Sequence, residues 1–380
     1  MTAFTTSITA ELWEVYYYDY IALMTVDHPA GSEIYVDERF VIPPAKLGFT
    51  TVESPHPLAH AVDDNGTDVT DILQELDGKA LDSFGRGQYQ GLTRDHYLEL
   101  DLGDDAPASG PLYLIAHGSI HDTESSLNVA ITQGSRWQAH PMSLEVPDGK
   151  GGWIVAQPNL GFPAGRRKTV LFNLTDLFRP GVPRRVRIRT NLEIYWDQIQ
   201  WARGLPQSGV RTNTLDAGSA DLHYRGFSVI QHPTGAGAPE IPDYQKLSAT
   251  TQIWRDLIGY YTRYGEVGEL LKQIDDRYVI VAAGDEMSLR FLEQPAPPAG
   301  WYRDFIIVGD GWIKDGDYNS TFSRTVLPLP YHAKQEYTTT PGKLEDEWVY
   351  QKYPADWQNY HTRYITPEVF RSALRPGTQP

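Results

Sequence analysis

Apolar and polar residues alternate strictly in two parts of the chain, 97–102 and 185–197. In the longer segment one parity carries Val186, Ile188 and Leu192, and the other carries mostly charged residues. Alternation with a period of two is typical of a β-strand that has one buried and one solvent-exposed face. We therefore predict one continuous strand over 185–197, in an antiparallel sheet that packs against a second layer.

Segments rich in aromatic and β-branched residues, separated by turn residues, recur along most of the chain. This pattern predicts a mainly β fold: an antiparallel β-sandwich or jelly roll, plus a second, smaller β-rich domain with a few short helices. Within this fold we expect a strand over 127–132 and a short helix over 267–274. A last helix is expected to begin at Thr366 and Pro367 and to end near Leu374.

The distribution of Gly, Pro, Ser and Thr sets the predicted domain boundaries. Residues 1–202 form the predicted β-sandwich region, in which 11–47 can make a separate N-terminal strand pair. Residues 203–250, rich in these four residue types, are the predicted linker. Residues 251–380 form the predicted second β-rich domain, which ends in an irregular tail rich in Tyr and Pro.

The overall charge narrows the classes of partner. The 380 residues include 33 Lys and Arg against 49 Asp and Glu, a formal net charge of −16. This charge disfavours binding to nucleic acid or to an anionic membrane surface. No apolar run approaches the roughly 18 residues of a membrane helix. The first 30 residues lack the basic and apolar regions of a signal peptide, so a cytoplasmic protein without membrane partners is expected, with secretion as the alternative.

Several classes of chemistry have no motif in the sequence. Cysteine is absent, which excludes disulfides, thiolate zinc sites and iron–sulfur clusters. No P-loop, nucleophile elbow or HExxH motif occurs. Gly85, Gly87 and Gly91 have a spacing that differs from the dinucleotide-binding fingerprint. We therefore expect no nucleotide, haem or iron–sulfur cofactor.

The segment 310–319 carries the clearest candidate for a metal site. Asp315, Asp317 and Asn319 offer oxygen ligands at alternate positions, as calcium-binding loops do, and Asp310 is an additional candidate ligand. The glutamate expected later in an EF-hand loop is missing, so a solvated turn between strands is the alternative interpretation. Calcium is the cofactor that this pattern predicts.

Two pairs of titratable residues are candidates for acid–base catalysis: Asp95 with His96, and Glu193 with Asp197. Carboxylates and imidazoles are the groups that enzymes most often use to move protons. If the protein is an enzyme, we expect its site between the two β domains.

Positive charge is concentrated in one segment. Residues 166–189 contain eight basic residues and one acidic residue. Arg185, Arg187 and Arg189 share one face of the predicted strand and form what we call the arginine ladder. This ladder either pairs with an acidic neighbouring strand such as 97–102 or binds an anion or an acidic partner; we favour the pairing.

Aromatic residues are abundant, with 10 Trp, 23 Tyr and 12 Phe. Tyr16, Tyr17 and Tyr18 are consecutive, so in a strand they cannot all be buried on one side. Further Trp and Tyr residues lie between Trp348 and Tyr364. Such side chains suit sugar stacking or a protein interface, and they can equally pin an irregular tail onto the sandwich.

Longer stretches of the sequence resemble a known family. The stretches are LWEVYYYDYIALMTVDHPAGSEIYVDERF at 12–40, NLEIYWDQI at 191–199, ADLHYRGFS at 220–228, RYVIVAAGDEMSLRF at 277–291 and GWYRDFIIVGDGWIKDGDYNSTFSRTVLPLPYH at 300–332. They resemble the C-terminal region of bacterial FG-GAP repeat proteins of the ASPIC/UnbV (cartilage-acidic-protein-like) type. In those proteins the region follows a β-propeller, which this chain lacks, so the resemblance implies a free-standing protein and assigns no catalytic residue.

A second resemblance concerns the fold. YLELDLG at 97–103 and NLEIYWDQIQW at 191–201 resemble edge strands of a galactose-binding-like jelly roll. The leading hypothesis is therefore a β-sandwich protein, stabilised by calcium, that binds a carbohydrate, another small molecule or a protein partner. The alternative is an enzyme of secondary metabolism, a cyclase or hydrolase, with its site between the two β domains.

Overall fold

The predicted mainly β fold is confirmed in a computed structural model of the chain, in which strands hold 45% of the residues and helices 11%. The structure describes residues 3–44, 46–134, 138–233, 239–317, 320 and 322–373. Its strands form several antiparallel sheets, and its helices are few and short.

The described residues up to Arg203 contain fifteen strands and one α-helix. The strands are β1 (Ala3–Thr9), β2 (Glu14–Pro29), β3 (Ser32–Val36), β4 (Arg39–Phe40), β5 (Phe49–Glu53), β6 (His56–Pro57), β7 (His60–Asp63), β8 (Leu92–Asp101), β9 (Leu112–Ile120), β10 (Ser143–Pro147), β11 (Trp153–Gln157), β12 (Phe162–Pro163), β13 (Lys168–Asn173), β14 (Arg185–Leu192) and β15 (Ile194–Arg203). The helix is α1 (Ser125–Gln133).

The second half adds strands first and helices last. The strands are β16 (Arg211–Asp216), β17 (Ser219–Tyr224), β18 (Phe227–Gln231), β19 (Ile241–Ala249), β20 (Gly259–Tyr261), β21 (Gly265–Glu266), β22 (Val279–Val281), β23 (Asp285–Leu292), β24 (Trp301–Asp315) and β25 (Arg363–Ile365). The helices are α2 (Trp348–Lys352), α3 (Pro354–Asn359) and α4 (Pro367–Ala373), and single 3₁₀ turns span Gln207–Gly209, Gly268–Leu271 and Leu344–Asp346. One further 3₁₀ turn, Asp71–Leu73, lies between β7 and β8. None of these helices is long and apolar enough to cross a membrane.

The first sandwich contains two antiparallel sheets. The five-stranded sheet has the order β11-β10-β14-β8-β7, and the four-stranded sheet has the order β13-β9-β15-β6. Leu98 and Leu100 on β8, and Val186 and Ile188 on β14, are buried in the core of this sandwich. The residues between them face outward, so the predicted alternation of β8 and β14 is confirmed.

The predicted continuous strand over 185–197 is wrong, because β14 ends at Leu192 and β15 begins in the opposite sheet. Glu193 lies at this corner. Its backbone N–H donates to the carbonyl of Gly91, and its carbonyl accepts from the N–H of His121, both at 2.9 Å. The backbone groups that would have continued the ladder of β14 are thus satisfied by two other segments.

The second sandwich pairs a sheet of order β1-β23-β17-β21 with a sheet centred on β2. β24 pairs with β2 along its whole length, whereas β16 and β22 pair with different parts of β2. Leu23, Leu222, Leu289 and Phe291 are buried in the core that these sheets share.

A third core lies on the opposite face of β2. Tyr17 is buried there with Tyr278 and Trp357, under the C-terminal helices. Tyr16 and Tyr18 stack on each other on the first face, with ring centroids 5.9 Å apart. The three consecutive tyrosines therefore divide between two faces, as their spacing in a strand requires.

Strand pairing departs from the predicted domain boundaries. β1 and β2 lie within 1–202 but pair with β23 and β24 of the second sandwich. β16 and β17 lie within the predicted linker 203–250, yet they pair with β2 and with β23. The second sandwich is therefore discontinuous in sequence, because its first two strands precede the whole of the first sandwich.

Of three further predicted elements, one is wrong, one is shortened and one is confirmed. The predicted strand over 127–132 is wrong, since these residues belong to α1. The predicted helix over 267–274 is reduced to the 3₁₀ turn Gly268–Leu271. The last helix, α4, is confirmed: the hydroxyl of Thr366 accepts the backbone N–H of Val369 at 3.3 Å, as a helix-capping residue does.

Candidate functional site

A cleft of about 470 Å³ lies between the two sandwiches, and we call it the inter-sandwich cleft. The first sandwich contributes residues 122–124, between β9 and α1, and Arg166, which precedes β13. The second sandwich contributes residues 11–14 at the start of β2, Trp254 after β19, and the end of β24. The cleft is thus built by loops and strand ends, which are free to carry polar side chains.

Apolar and aromatic side chains form part of the cleft wall. Trp254 is 39% exposed, and its indole Nε1 donates to the carbonyl of Glu11 at 3.2 Å, which fixes the ring. Trp13 also lines the cleft and holds the guanidinium of Arg255 at 4.0 Å from its ring centroid. Two oriented indoles therefore border a space large enough for a small molecule.

Carboxylates dominate the polar part of the wall. Burial raises the pKa of Glu14, and the charges of Asp315, Asp122 and Asp317 raise it further against a hydrogen bond to Tyr16. Burial also raises the pKa of Asp122, with Arg166 opposing the shift. Both carboxyl groups consequently hold their protons to higher pH than they would in water.

Few cations compensate these charges. The guanidinium of Arg166 lies 2.9 Å from the Glu240 carboxylate and 3.4 Å from the Asp122 carboxylate. Arg225 pairs with Glu11 at 3.2 Å. In the described part of the chain, neither Glu14 nor Glu124 forms an ion pair, so the cleft keeps a negative potential.

Asp315 and Asp317, predicted as metal ligands, reach the cleft and also hold α1. One Asp317 oxygen accepts the backbone N–H of Ser125 at 2.6 Å, and Asp315 accepts the Ser125 hydroxyl. Negative charge is favourable at a helix N-terminus, where backbone N–H groups are unpaired. These contacts join the two sandwiches and satisfy a backbone N–H at the start of α1.

The remaining predicted metal ligands lie elsewhere. Asp310 is five residues earlier on β24 and contacts His332, with its carboxylate 3.0 Å from the imidazole Nε2. Asn319 lies outside the described residues. The structure therefore divides the described members of the predicted calcium set between two places, and the calcium site itself stays a prediction.

Asp95 and His96, a predicted acid–base pair, point to opposite faces of β8. Asp95 pairs with Arg189 on the outer face. His96 is directed toward its own strand, with Nδ1 at 3.1 Å from the Thr93 hydroxyl and 3.0 Å from the Arg94 carbonyl, and burial lowers its pKa. The two side chains do not meet in the structure.

Glu193 and Asp197, the second predicted pair, have separate structural partners. The Glu193 carboxylate accepts the Gly91 N–H at 3.0 Å and lies 3.0 Å from the His121 imidazole. Asp197 accepts the Gly78 N–H at 3.0 Å. Both carboxylates are buried and lie outside the lining of the inter-sandwich cleft.

The arginine ladder pairs with acidic residues, as favoured from the sequence. Arg185 and Arg187 contact Asp101 and Glu99, each at 3.0 Å, and Arg189 contacts Asp95. The antiparallel register of β14 and β8 places Arg185 opposite Asp101 and Arg187 opposite Glu99, whereas Arg189 lies opposite Tyr97 and reaches Asp95 diagonally. Cross-strand pairing thus neutralises the positive face of this sheet.

The acidic and aromatic residues of the cleft were missed by sequence reasoning, apart from Asp315 and Asp317. Trp254 and Glu14 lie about 240 residues apart, so no local spacing connects them. Comparison with family models, curated proteins and solved structures gave no match. The resemblance to the ASPIC/UnbV-associated region therefore stays a prediction.

Proposed function

We propose that the inter-sandwich cleft binds a carbohydrate. The observation that supports this best is the fixed, partly exposed indole of Trp254 beside the carboxylates of Glu14 and Glu124. An indole face packs well against the apolar C–H face of a sugar ring, while carboxylates accept hydrogen bonds from its hydroxyls. The cleft volume of about 470 Å³ falls within the usual range for small-molecule sites.

The charge of the cleft restricts the kind of sugar. Seven carboxylates and one guanidinium are among the described lining residues. An acidic sugar would meet this field with repulsion, whereas neutral sugars and amino sugars would not. Neutral and cationic oligosaccharides are therefore the expected ligand class.

Titration with a panel of neutral and amino-sugar oligosaccharides tests this proposal, with calorimetry as the readout. Trp254→Ala is expected to weaken binding at least tenfold, since a central aromatic anchor carries a large share of binding energy. The matched control is Trp348→Ala, which removes an indole of equal exposure, 40%, on α2 outside the cleft. Absence of glycan binding, or equal losses in both variants, contradicts the proposal.

A glycoside hydrolase is the second candidate function, and the raised pKa values of Glu14 and Asp122 favour it. A carboxyl group whose pKa is raised holds its proton to higher pH, which suits it to protonate a leaving oxygen. Release of reducing ends from the bound glycan measures this activity. Glu14→Gln is expected to lower the rate by about 100-fold or more, whereas Glu99→Gln, at a carboxylate paired with Arg187 outside the cleft, should have a small effect on the rate.

We further propose that calcium stabilises the end of β24, where Asp315 and Asp317 contact α1. If Asp315, Asp317 and Asn319 bind Ca²⁺, added calcium should raise the melting temperature, and Asp315→Ala and Asp317→Ala should abolish the rise. A melting temperature unchanged by calcium in the wild-type protein would contradict this part of the proposal.

A further inference from the structure

A separate group of titratable side chains lies in the second sandwich, away from the inter-sandwich cleft. It consists of Asp19 on β2, Asp276 before β22, Asp310 on β24 and His332 in the segment after β24. One ligand atom each from Asp19, Asp310 and His332 lies within 4.8 Å of the others. These residues span more than 300 positions of the sequence, so the fold alone brings them together.

The pairing of β2 with β24 places the two aspartates. The register shifts between Tyr18 and Tyr20, which leaves Asp19 in a bulge, and Asp310 lies opposite Tyr20. Gly311 permits this close approach, since a Cβ at that position would come within 2.1 Å of the Tyr17 carbonyl oxygen. A bulge of this kind redirects a side chain, as bulges beside functional sites often do.

Asp19 carries an unsatisfied oxygen inside the protein. Its side chain is fully buried; Oδ2 accepts the backbone N–H of Asp276 at 3.1 Å, whereas Oδ1 has no hydrogen-bond partner among the described residues. A buried carboxylate oxygen without a partner is costly, and buried charges are ordinarily paired or bound to a metal. The other oxygen of the same carboxylate, Oδ2, lies 3.8 Å from the Nδ1 of His332.

His332 is oriented by its other neighbours. Its Nδ1 and its backbone N–H both contact Asp276 Oδ1 at 2.8 Å, and its Nε2 lies 3.0 Å from Asp310. Trp312 packs against the ring edge-on, with centroids 4.6 Å apart. Asp276 thus holds Nδ1 while Nε2 faces Asp310, and a carboxylate that holds the imidazole nitrogen remote from the metal is the usual outer shell of a metal-bound histidine.

We propose that Asp19, Asp310 and His332 bind one divalent transition-metal ion, with Zn²⁺ as the best match, and that Asp276 orients His332. One imidazole nitrogen and carboxylate oxygens are donors that zinc accepts, whereas calcium prefers oxygen ligands throughout. Ligands about 2.1 Å from a tetrahedral zinc lie about 3.4 Å apart. The 3.0 Å between His332 and Asp310 is close to that spacing. Both side chains are partly exposed, which leaves a path for the ion.

Calorimetry on the chelator-treated protein with Zn²⁺ alone tests this site, and Co²⁺ absorption in the visible range reports its coordination. One ion per chain is expected. His332→Ala and Asp310→Asn should weaken binding at least tenfold, and Asp276→Asn by about 10–100-fold. His60→Ala is the matched control, because His60 also pairs with an aspartate, Asp68, on the surface.

Asp19→Asn distinguishes a loss of metal binding from a loss of stability, because the amide has the same shape as the carboxylate but carries no charge. This variant is expected to lose Zn²⁺ binding without a fall in melting temperature; should it fail to fold, His332→Gln at the partly exposed histidine replaces it. Three results would overturn the proposal: no binding of Zn²⁺, equal binding by the variants and the wild-type protein, or equal affinity for Ca²⁺ and Zn²⁺.

Discussion

The arginine ladder and the inter-sandwich cleft are both highly charged, but their charges are compensated very differently. In the ladder, every arginine faces a carboxylate on β8. In the cleft, the described lining holds seven carboxylates and one guanidinium. Strand register brings opposite charges together across a sheet, whereas loops from two sandwiches meet without such a constraint. The unpaired charge therefore gathers where the loops converge, and the proposed carbohydrate site lies there.

The largest expected effect on stability concerns Arg187 in the ladder. Its guanidinium donates to Glu99 and lies 4.2 Å and 4.1 Å from the ring centroids of Tyr97 and Trp153. Arg187→Ala removes these contacts together and should lower the free energy of unfolding by about 2 kcal/mol in urea titration, with ligand binding unchanged. Arg185→Ala, at a more exposed pair, should cost less than about 1 kcal/mol. Equal losses of stability in Arg187→Ala and Arg185→Ala would contradict the larger contribution expected of Arg187.

Glu14→Gln is expected to have a smaller effect of opposite sign. The pKa of Glu14 is raised in the folded state, mainly by burial, so its ionised form destabilises the fold above that pKa. The amide should therefore raise the free energy of unfolding at pH 7 by about 1 kcal/mol. The gain should disappear as the pH falls below the pKa of the unfolded state, where Glu14 is protonated in both states.

Glu99→Gln is the control for this prediction, since Glu99 is paired with two arginines of the ladder. That substitution should destabilise the protein at pH 7. If both amides shifted stability in the same direction, the contrast between paired and unpaired carboxylates would not hold.

The smallest expected effect concerns the contact between α1 and β24. Ser125→Ala removes the hydroxyl that donates a hydrogen bond to Asp315, but it keeps the hydrogen bond from the backbone N–H to Asp317. A loss of about 0.5–1 kcal/mol in the free energy of unfolding is expected, as for a helix-terminal side-chain contact. Ser126→Ala, one residue further along α1, should have less effect. A larger loss of stability in Ser126→Ala than in Ser125→Ala would show that the contact between Ser125 and Asp315 contributes little.

Local patterns predicted those parts of the fold that depend on local order. Val186 and Ile188 alternate with arginines, and the strand and its buried face follow directly. The end of that strand could not be predicted, because Glu193 is held by Gly91 and His121, which are distant in sequence. Likewise, β1 and β2 pair with strands almost 300 residues away, and no composition shift marks that pairing.

The site was predicted only where its residues are neighbours. Asp315 and Asp317 stand out by their spacing, and they do reach the cleft. Glu14, Asp122 and Trp254 come from three remote segments, and no local pattern in the sequence connects them. Only the tertiary structure brings these three residues into one cleft.

Nuclear magnetic resonance of the tryptophan indole groups tests the central claim most directly. The chain has 10 tryptophans, and their N–H signals can be followed while a neutral or amino-sugar oligosaccharide is added. We expect the signal of Trp254, assigned by its loss in Trp254→Phe, to shift with saturation, together with that of Trp13, which also lines the cleft. Saturating shifts confined to tryptophans outside the cleft, such as Trp348, or no shifts with any glycan, would contradict the account.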